Sequence, residues 1–208
     1  MPCLFIIGLV AGILSTAVMT ITEMSSWKRW GIHGVFEWHE NYIIIKRLRQ
    51  FLHFSNTIDI GVESHFKGIF FLHFLNGALA GIAFPYITSF ISSSFSFTNL
   101  SYCLFGIFYG ILLWIVTLVP IHKPITGFPP WNHPLGHLPA LASLSGHLVY
   151  GLVLGLVEIV FINILWKNYG TRFVKKITAS LRLANWHLNI FIIIENWKIQ
   201  SMNSYHWS

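Results

Sequence analysis

GIFFLHFLNGALAGIAFPYITSFISSSFSFTNLSYCLFGIFYGILLWIVTLVPIH, residues 68–122, contains no Asp, Glu, Lys or Arg. A helix needs about 20 mainly apolar residues to cross the hydrocarbon core of a bilayer. The stretch is long enough for two such helices, and the polar segment SSSFSFTNL at 92–100 separates them. It therefore predicts two antiparallel transmembrane helices, which we place at about 67–92 and 101–121.

Two further apolar runs flank this stretch. Glu23 is the single charged residue of the first 26 residues, and Glu158 is the single one between residues 124 and 166. We place spans at about 3–26 and 140–166. The whole chain is 54% hydrophobic and 10% charged, whereas a soluble domain is about 25% charged. The sequence thus predicts an all-α, four-span, multi-pass protein whose first partner is the lipid bilayer, and we expect a cell-membrane location.

The first run begins without a basic segment, and no small-x-small cleavage pattern follows it, so we expect a retained helix rather than a signal peptide. The net charge is +6. Because the basic residues flank the spans, we interpret them as headgroup contacts and orientation signals, and nucleic acid is a poor explanation. The two cysteines imply no disulfide framework.

The connections differ in character. The first, at about 27–66, contains apolar residues at helical spacing with basic residues among them. This pattern predicts an interfacial helix, the alternative being a helix packed on a partner subunit. The third, at 120–139, holds six of the eight prolines, and we expect an ordered non-helical, histidine-rich loop or re-entrant cap. We divide the chain into a transmembrane domain, 1–166, and a basic, partly apolar tail, 167–208, whose apolar stretch at 183–194 we expect to lie in the interface.

Glycines four residues apart occur in all four spans and predict close helix packing, because small residues let backbones approach in lipid. Spans two and four each continue the pattern after a histidine, as His-x3-Gly-x3-Gly. The order therefore predicts a tandem repeat of two helical hairpins, such as occurs in some transporters. The predicted packing residues are Gly8, Gly12, Gly77, Gly81, Gly106, Gly110, Gly151 and Gly155.

Ionisable residues on these faces point to function, because charge in hydrocarbon is costly. Nine of the eleven histidines collect at one end of the predicted bundle. A carboxylate with several imidazoles suits a transition metal or haem. The candidate ligands are His73, His147, Glu23 and His122. The alternative, which we favour, is that the two span histidines are structural hydrogen-bonders. The other intramembrane polar residues are Glu158, Asn76 and Tyr150, and we expect Glu158 to need a partner or a proton.

Three segments carry a resemblance: Thr-Ala-Val-Met at 16–19, GIFYGILLW at 106–114 and GHLVYGLVLG at 146–155. With them, the first 166 residues resemble a group of small four-helix integral membrane proteins of archaea and bacteria. The resemblance implies the fold and supplies no activity. The proline- and histidine-rich loop and the basic tail depart from that group's pattern.

Three functional hypotheses follow. The leading one is a non-enzymatic accessory or structural component of a membrane assembly, with membrane-protein partners or a second copy, since no catalytic motif is present. The second is a membrane protein that binds a transition metal or haem on its histidine-rich face. The third is a small transporter or channel with Glu158 and Glu23 on a polar path.

Overall fold

The computed structural model describes residues 2–52, 62–92 and 97–183. Over these residues the chain is helical apart from short connections and contains no strand, so the predicted all-α class is confirmed. The α-helices, in chain order, are α1 (Pro2–Trp30), α2 (Phe36–Phe51), α3 (Phe66–Ser92), α4 (Asn99–Thr117), α5 (Lys123–Thr126) and α6 (Leu138–Leu183).

Four helices, α1, α3, α4 and α6, are long and apolar enough to cross a membrane. These are the four spans that the sequence predicts, and they support a membrane location. Helix α6 has 46 residues and is therefore about 69 Å long, well beyond the roughly 30 Å of a hydrocarbon core. It runs unbroken through the predicted domain boundary at 166–167. The predicted interfacial stretch at 183–194 lies almost entirely outside the described residues.

Glycines bring two helix pairs, α1 with α3 and α4 with α6, into backbone contact. A Cβ added to Gly12 would lie 2.5 Å from the carbonyl oxygen of Gly77, and one added to Gly106 would overlap the carbonyl oxygen of Gly151. A Cβ at any of the other six packing positions would also overlap the facing helix; these positions are Gly8, Gly77, Gly81, Gly110, Gly151 and Gly155. The two hairpins therefore close in the same way, while their origin by duplication stays a prediction.

Helices α3 and α4, the second and third spans, contact each other less than their short connection predicts. The principal neighbour of α3 is α1, and that of α4 is α6; the two pairs meet mainly through α1 and α6. Helices α3 and α4 touch through aromatic side chains, with Phe84 packed on Phe105 and Tyr109. The Tyr109 hydroxyl also donates to the Ala80 carbonyl oxygen, at 2.8 Å. Large rings hold these helices apart, because no facing glycines allow closer approach.

The first connection folds back onto the bundle through α2. The side chains of Phe36 and Trp38 are each 1% exposed, and the Asn41 side chain donates to the Ile69 carbonyl oxygen at 3.4 Å. The distal half of the helix keeps exposed apolar side chains, with Leu48 50% exposed. Helix α2 is thus the predicted amphipathic helix, and its first half packs on the protein's own spans.

The third connection is more helical than its prolines predict. A π-helical turn, Leu118–His122, continues α4 directly into α5, and a 3-10 turn, Pro130–Asn132, follows. Pro124 lies in the first turn of α5, and because it has no backbone N–H it donates no hydrogen bond to the turn that precedes it. The expectation of a wholly non-helical loop is therefore wrong up to Thr126. A π-helical turn often marks a functional position, and here it ends at His122.

Candidate functional site

Most of the described histidines gather at one end of the bundle. We call this the connection end: α1 and α4 finish there, α3 and α6 begin there, and α2 lies across it. Charged residues are rare in this protein, with only seven acidic side chains, yet helices α1 and α2 bring Glu23, Glu37 and Glu40 to this end. Each of these three carboxylates faces a histidine of another element.

Glu23, near the end of α1, faces His73 in the first half of α3. The Glu23 carboxylate is 2% exposed, and its Oε2 lies 3.6 Å from His73 Nε2. The same nitrogen is 3.1 Å from Thr20 Oγ1. Neither carboxylate oxygen of Glu23 has a hydrogen-bond partner among the described residues. The sequence therefore identified two residues that meet, and it did not anticipate that the carboxylate would lack donors.

His147, on α6, faces a carboxylate that the sequence analysis did not select. Its Nδ1 lies 3.4 Å from Glu37 Oε1 and 3.0 Å from the Ser143 carbonyl oxygen of its own helix. The Ser143 hydroxyl donates a short hydrogen bond to Glu37 Oε1, whereas Glu37 Oε2 is buried without a partner in the described structure. The carboxyl groups of Glu37 and Glu23 are also close enough to repel each other when both are charged.

His122 does not join the predicted metal set. Its Nδ1 lies 2.8 Å from Glu40 Oε1, one turn beyond Glu37 on α2. The His122 side chain is fully buried, and its Nε2 has no partner among the described residues. The ring packs on Phe36, with centroids 4.1 Å apart. The four predicted ligands are thus divided between two neighbouring places along α2, one at Glu37 and one at Glu40.

A separate group of three histidines converges beside the Glu40–His122 pair. One ring nitrogen from each of His33, His39 and His133 lies within 4.8 Å of the other two. His33 follows α1 and is exposed, whereas His39 on α2 and His133 in the third connection are buried. The Leu135 backbone N–H donates to His133 Nδ1 at 3.2 Å and orients that ring. We call these residues the three-histidine cluster.

Burial and mutual repulsion keep two of these imidazoles neutral. Desolvation, reinforced by His33, His122 and His133, lowers the pKa of His39 to about 4. Desolvation and the neighbouring imidazoles also lower the pKa of His133. Burial raises the pKa of the nearby Glu40 carboxyl, against the hydrogen bond from His122. Neutral imidazole is the form that binds metal, so His39 and His133 need not lose a proton at neutral pH before they can act as ligands.

The remaining intramembrane polar residues lie elsewhere. Glu158 is buried in the other half of the bundle, where the Thr88 hydroxyl donates to its Oε1 at 2.7 Å. Tyr150 is buried and donates to the Gly77 carbonyl oxygen at 2.6 Å, which links α6 to α3. Asn76, in contrast, lies on the exposed side of α3. Tyr150 therefore provides the inter-helix hydrogen bond at this level, and Asn76 does not.

Sequence reasoning missed Glu37 and Glu40 because it treated α2 as a helix lying on the membrane surface. A signal was available: two glutamates three residues apart flank Trp38 and His39 in a chain with few acidic residues. Residues three apart share a helix face, so an acidic pair on the face that also carries buried aromatic residues indicates a face directed at the protein.

No protein-family model, curated protein or solved structure matches this chain. The resemblance to small four-helix membrane proteins therefore stays a prediction.

Proposed function

We propose that this chain is a multi-pass membrane protein that binds a transition-metal ion at the three-histidine cluster of its connection end. One observation carries the proposal: nitrogens of His33, His39 and His133, which come from three separate segments, lie within 4.8 Å of one another. Two of these imidazoles are buried, the third is exposed, and no carboxylate belongs to the group. They are a common ligand set for zinc and copper.

The geometry suits a single ion. Ligand nitrogens lie about 2.0–2.1 Å from Zn²⁺, which puts neighbouring nitrogens about 3.3 Å apart in a tetrahedral site. Side-chain shifts of about an ångström would bring the cluster to that spacing. The His33 and His39 rings are edge to face with centroids 4.4 Å apart, and a porphyrin does not fit between rings in that contact. This arrangement favours an ion over haem.

The surroundings also suit reversible loading. His33 is exposed, so an ion can reach the cluster from water, and three protein ligands leave a fourth position for water or another ligand. His39 Nδ1 is buried and has no hydrogen-bond partner in the described structure. An unsatisfied buried polar atom is costly, and an ion bound near it would remove that cost. A borderline divalent ion, Zn²⁺ or Cu²⁺, is the chemical class that fits.

The test is metal content of the full chain purified in detergent. The protein is loaded at micromolar free Zn²⁺ and then desalted. The parent should retain zinc, and His33→Ala and His133→Ala should each retain at least tenfold less. His137→Ala is the matched control, because His137 is exposed in the same connection as His133 and lies outside the cluster. Retention that is equal in parent, His133→Ala and His137→Ala would overturn the proposal.

The role as an accessory component of a membrane assembly is a separate prediction, and co-purification of other membrane subunits is its measurement. The proposal leaves that role open, because a metal-binding subunit can serve a larger assembly. Transport gains no support from Glu158, which is packed against Thr88 and only 5% exposed.

A further inference from the structure

One side of α2 changes from protein contact to exposure along the helix. In the first half, Glu37 and Glu40 lie three residues apart on this side, and each faces a histidine near the end of a span. The same side continues at helical spacing with four apolar residues that are between 37% and 77% exposed: Ile44, Leu48, Phe51 and Leu52. We call these four residues the apolar stripe of α2.

The apolar stripe faces the same way as the part of α2 that packs on the spans. The histidines that Glu37 and Glu40 contact are on α6 and on the π-helical turn that follows α4. Because α2 is one continuous helix, this side keeps its direction where the helix extends past those contacts. Trp131 is 46% exposed at the same end, and exposed tryptophan is typical of the headgroup level of a membrane. The stripe is therefore placed to meet lipid at that level.

Basic side chains border the stripe on α2 and on α5. Arg47, four residues before Phe51 and so beside the stripe, is exposed. It donates from Nη2 to the Ile125 carbonyl oxygen of α5 at 3.0 Å, and Lys123, two residues before Ile125, is exposed as well. A guanidinium has five N–H donors, so this one bond does not exhaust them. An apolar stripe bordered by basic residues is typical of a helix in the interface of an anionic membrane.

The charge that the connection end presents to its surroundings is mainly positive. Helices α1 and α2 carry three glutamates whose side chains are at most 18% exposed and face histidines. Glu63, in the turn before α3, is the other acidic residue that the structure describes at this end. Five basic residues of the same end are exposed: Lys28, Arg29, Arg47, Lys67 and Lys123. This distribution of charge complements an anionic partner.

We infer that the apolar stripe of α2 lies in the bilayer interface and that Arg47 and Lys123 bind the headgroup phosphate of an anionic phospholipid there. The acyl chains cover the stripe, and the headgroup bridges α2 and α5. A partner protein fits this surface less well, because lysine is depleted from protein–protein interfaces. The inference goes beyond the proposed function and does not rest on it, since the site contains no residue of the three-histidine cluster.

The headgroup site is tested by native mass spectrometry of delipidated protein in detergent. The lipid is an equimolar mixture of phosphatidylglycerol and phosphatidylcholine with the same acyl chains, and the parent should bind phosphatidylglycerol in preference. Arg47→Gln and Lys123→Gln should each weaken that preference about fivefold, as expected for one basic residue at an anionic surface. Lys67→Gln is the matched control. It removes an exposed charge of the same end from α3, which begins beside Ile45 on the other side of α2.

The position of the stripe is tested with a fluorescent label at Leu48→Cys, after Cys3→Ser and Cys103→Ser have removed the two native thiols. The protein is placed in bilayer discs of the same lipid mixture, with one copy in each disc. Lipid should shield the label from acrylamide, a water-soluble quencher. Gln50→Cys, an exposed polar position of the same helix, is the control and should be quenched readily.

Equal retention of the two lipids by the parent would overturn the headgroup site. So would a preference for phosphatidylglycerol that stays at the parental value in both Arg47→Gln and Lys123→Gln. Equal quenching at Leu48→Cys and Gln50→Cys would overturn the interfacial position and leave a partner protein as the cover of the stripe. Neither experiment involves zinc or the three-histidine cluster, so a failure here leaves the proposed function standing, and the converse also holds.

Discussion

His122 Nδ1 lies 2.8 Å from Glu40 Oε1, and this contact ties the end of the α4 segment to α2. His122 is fully buried and Glu40 is 12% exposed, so little water is available to replace either partner. Together with the contact of Glu37 with His147 on α6, it makes α2 a cap held on the bundle by polar groups as well as by Trp38. Metal binding at the three-histidine cluster would depend on that cap being in place.

Removing the Glu40 carboxylate should loosen the cap. In Glu40→Ala, the buried His122 Nδ1 loses its partner, and we expect a loss of about 1–3 kcal/mol, as is usual for a buried polar group left unsatisfied. Glu40→Gln should lose less, because its amide can still hydrogen-bond to the imidazole. The measurement is the midpoint of thermal unfolding in detergent, with Gln50→Ala, an exposed change on the same helix, as control. Equal midpoints for Glu40→Ala and Gln50→Ala would contradict this role for the contact.

Adding a methyl group at the α1–α3 contact should force the two helices apart. A Cβ at Gly12 would lie 2.5 Å from the Gly77 carbonyl oxygen and 3.0 Å from two further backbone atoms. Backbone cannot yield as a flexible side chain can, so we expect Gly12→Ala to cost about 1–3 kcal/mol. Val18→Ile adds the same group on an exposed position of α1 and should change the unfolding midpoint little. A Gly12→Ala protein as stable as Val18→Ile would show that this close approach contributes nothing.

Low pH should destabilise the metal-free protein through His39. The pKa of His39 is about 4 in the folded protein against an ordinary 6.5, so between these values the unfolded chain binds the proton and the folded chain does not. Stability therefore falls as the pH drops from 6.5 towards 4. A full shift is worth about 1.4 kcal/mol per unit. Solvent beside the exposed His33 screens the charge, so we expect about 1–2 kcal/mol.

The comparison that isolates His39 uses EDTA-treated protein at pH 7 and pH 5. The unfolding midpoint at pH 7 minus that at pH 5 should be smaller in His39→Gln than in the parent. The other titrating groups are common to both proteins, so their contributions cancel in this comparison. His137→Gln changes an exposed histidine and should keep the parental difference. If His39→Gln kept it too, His39 would not be the group that titrates.

The sequence predicted the spans more completely than the site, and the reason is physical. A bilayer imposes a length and an apolar composition that can be recognised in one segment at a time. Residues 68–122 alone are therefore enough to predict helices α3 and α4. Whether Glu37 meets His147 depends on where α2 lies on the bundle, which no local pattern specifies. The meeting of Glu23 and His73 was predictable, because both lie near the same end of adjacent spans. The separation of His122 from Glu23 and His73 was not predictable, because composition does not reveal the π-helical turn that positions His122.

Zinc should stabilise the cap if the three-histidine cluster binds it. The ligands come from the segment after α1, from α2 and from the third connection, so an ion bound to all three cross-links the cap in the folded state alone. Free Zn²⁺ at one hundred times the dissociation constant adds about 2.7 kcal/mol. In a chain of this size that corresponds to about 5–10 °C in the unfolding midpoint. EDTA should reverse the rise, and His133→Ala should abolish it while His137→Ala keeps it. A rise of equal size in His133→Ala would place the zinc elsewhere on the protein.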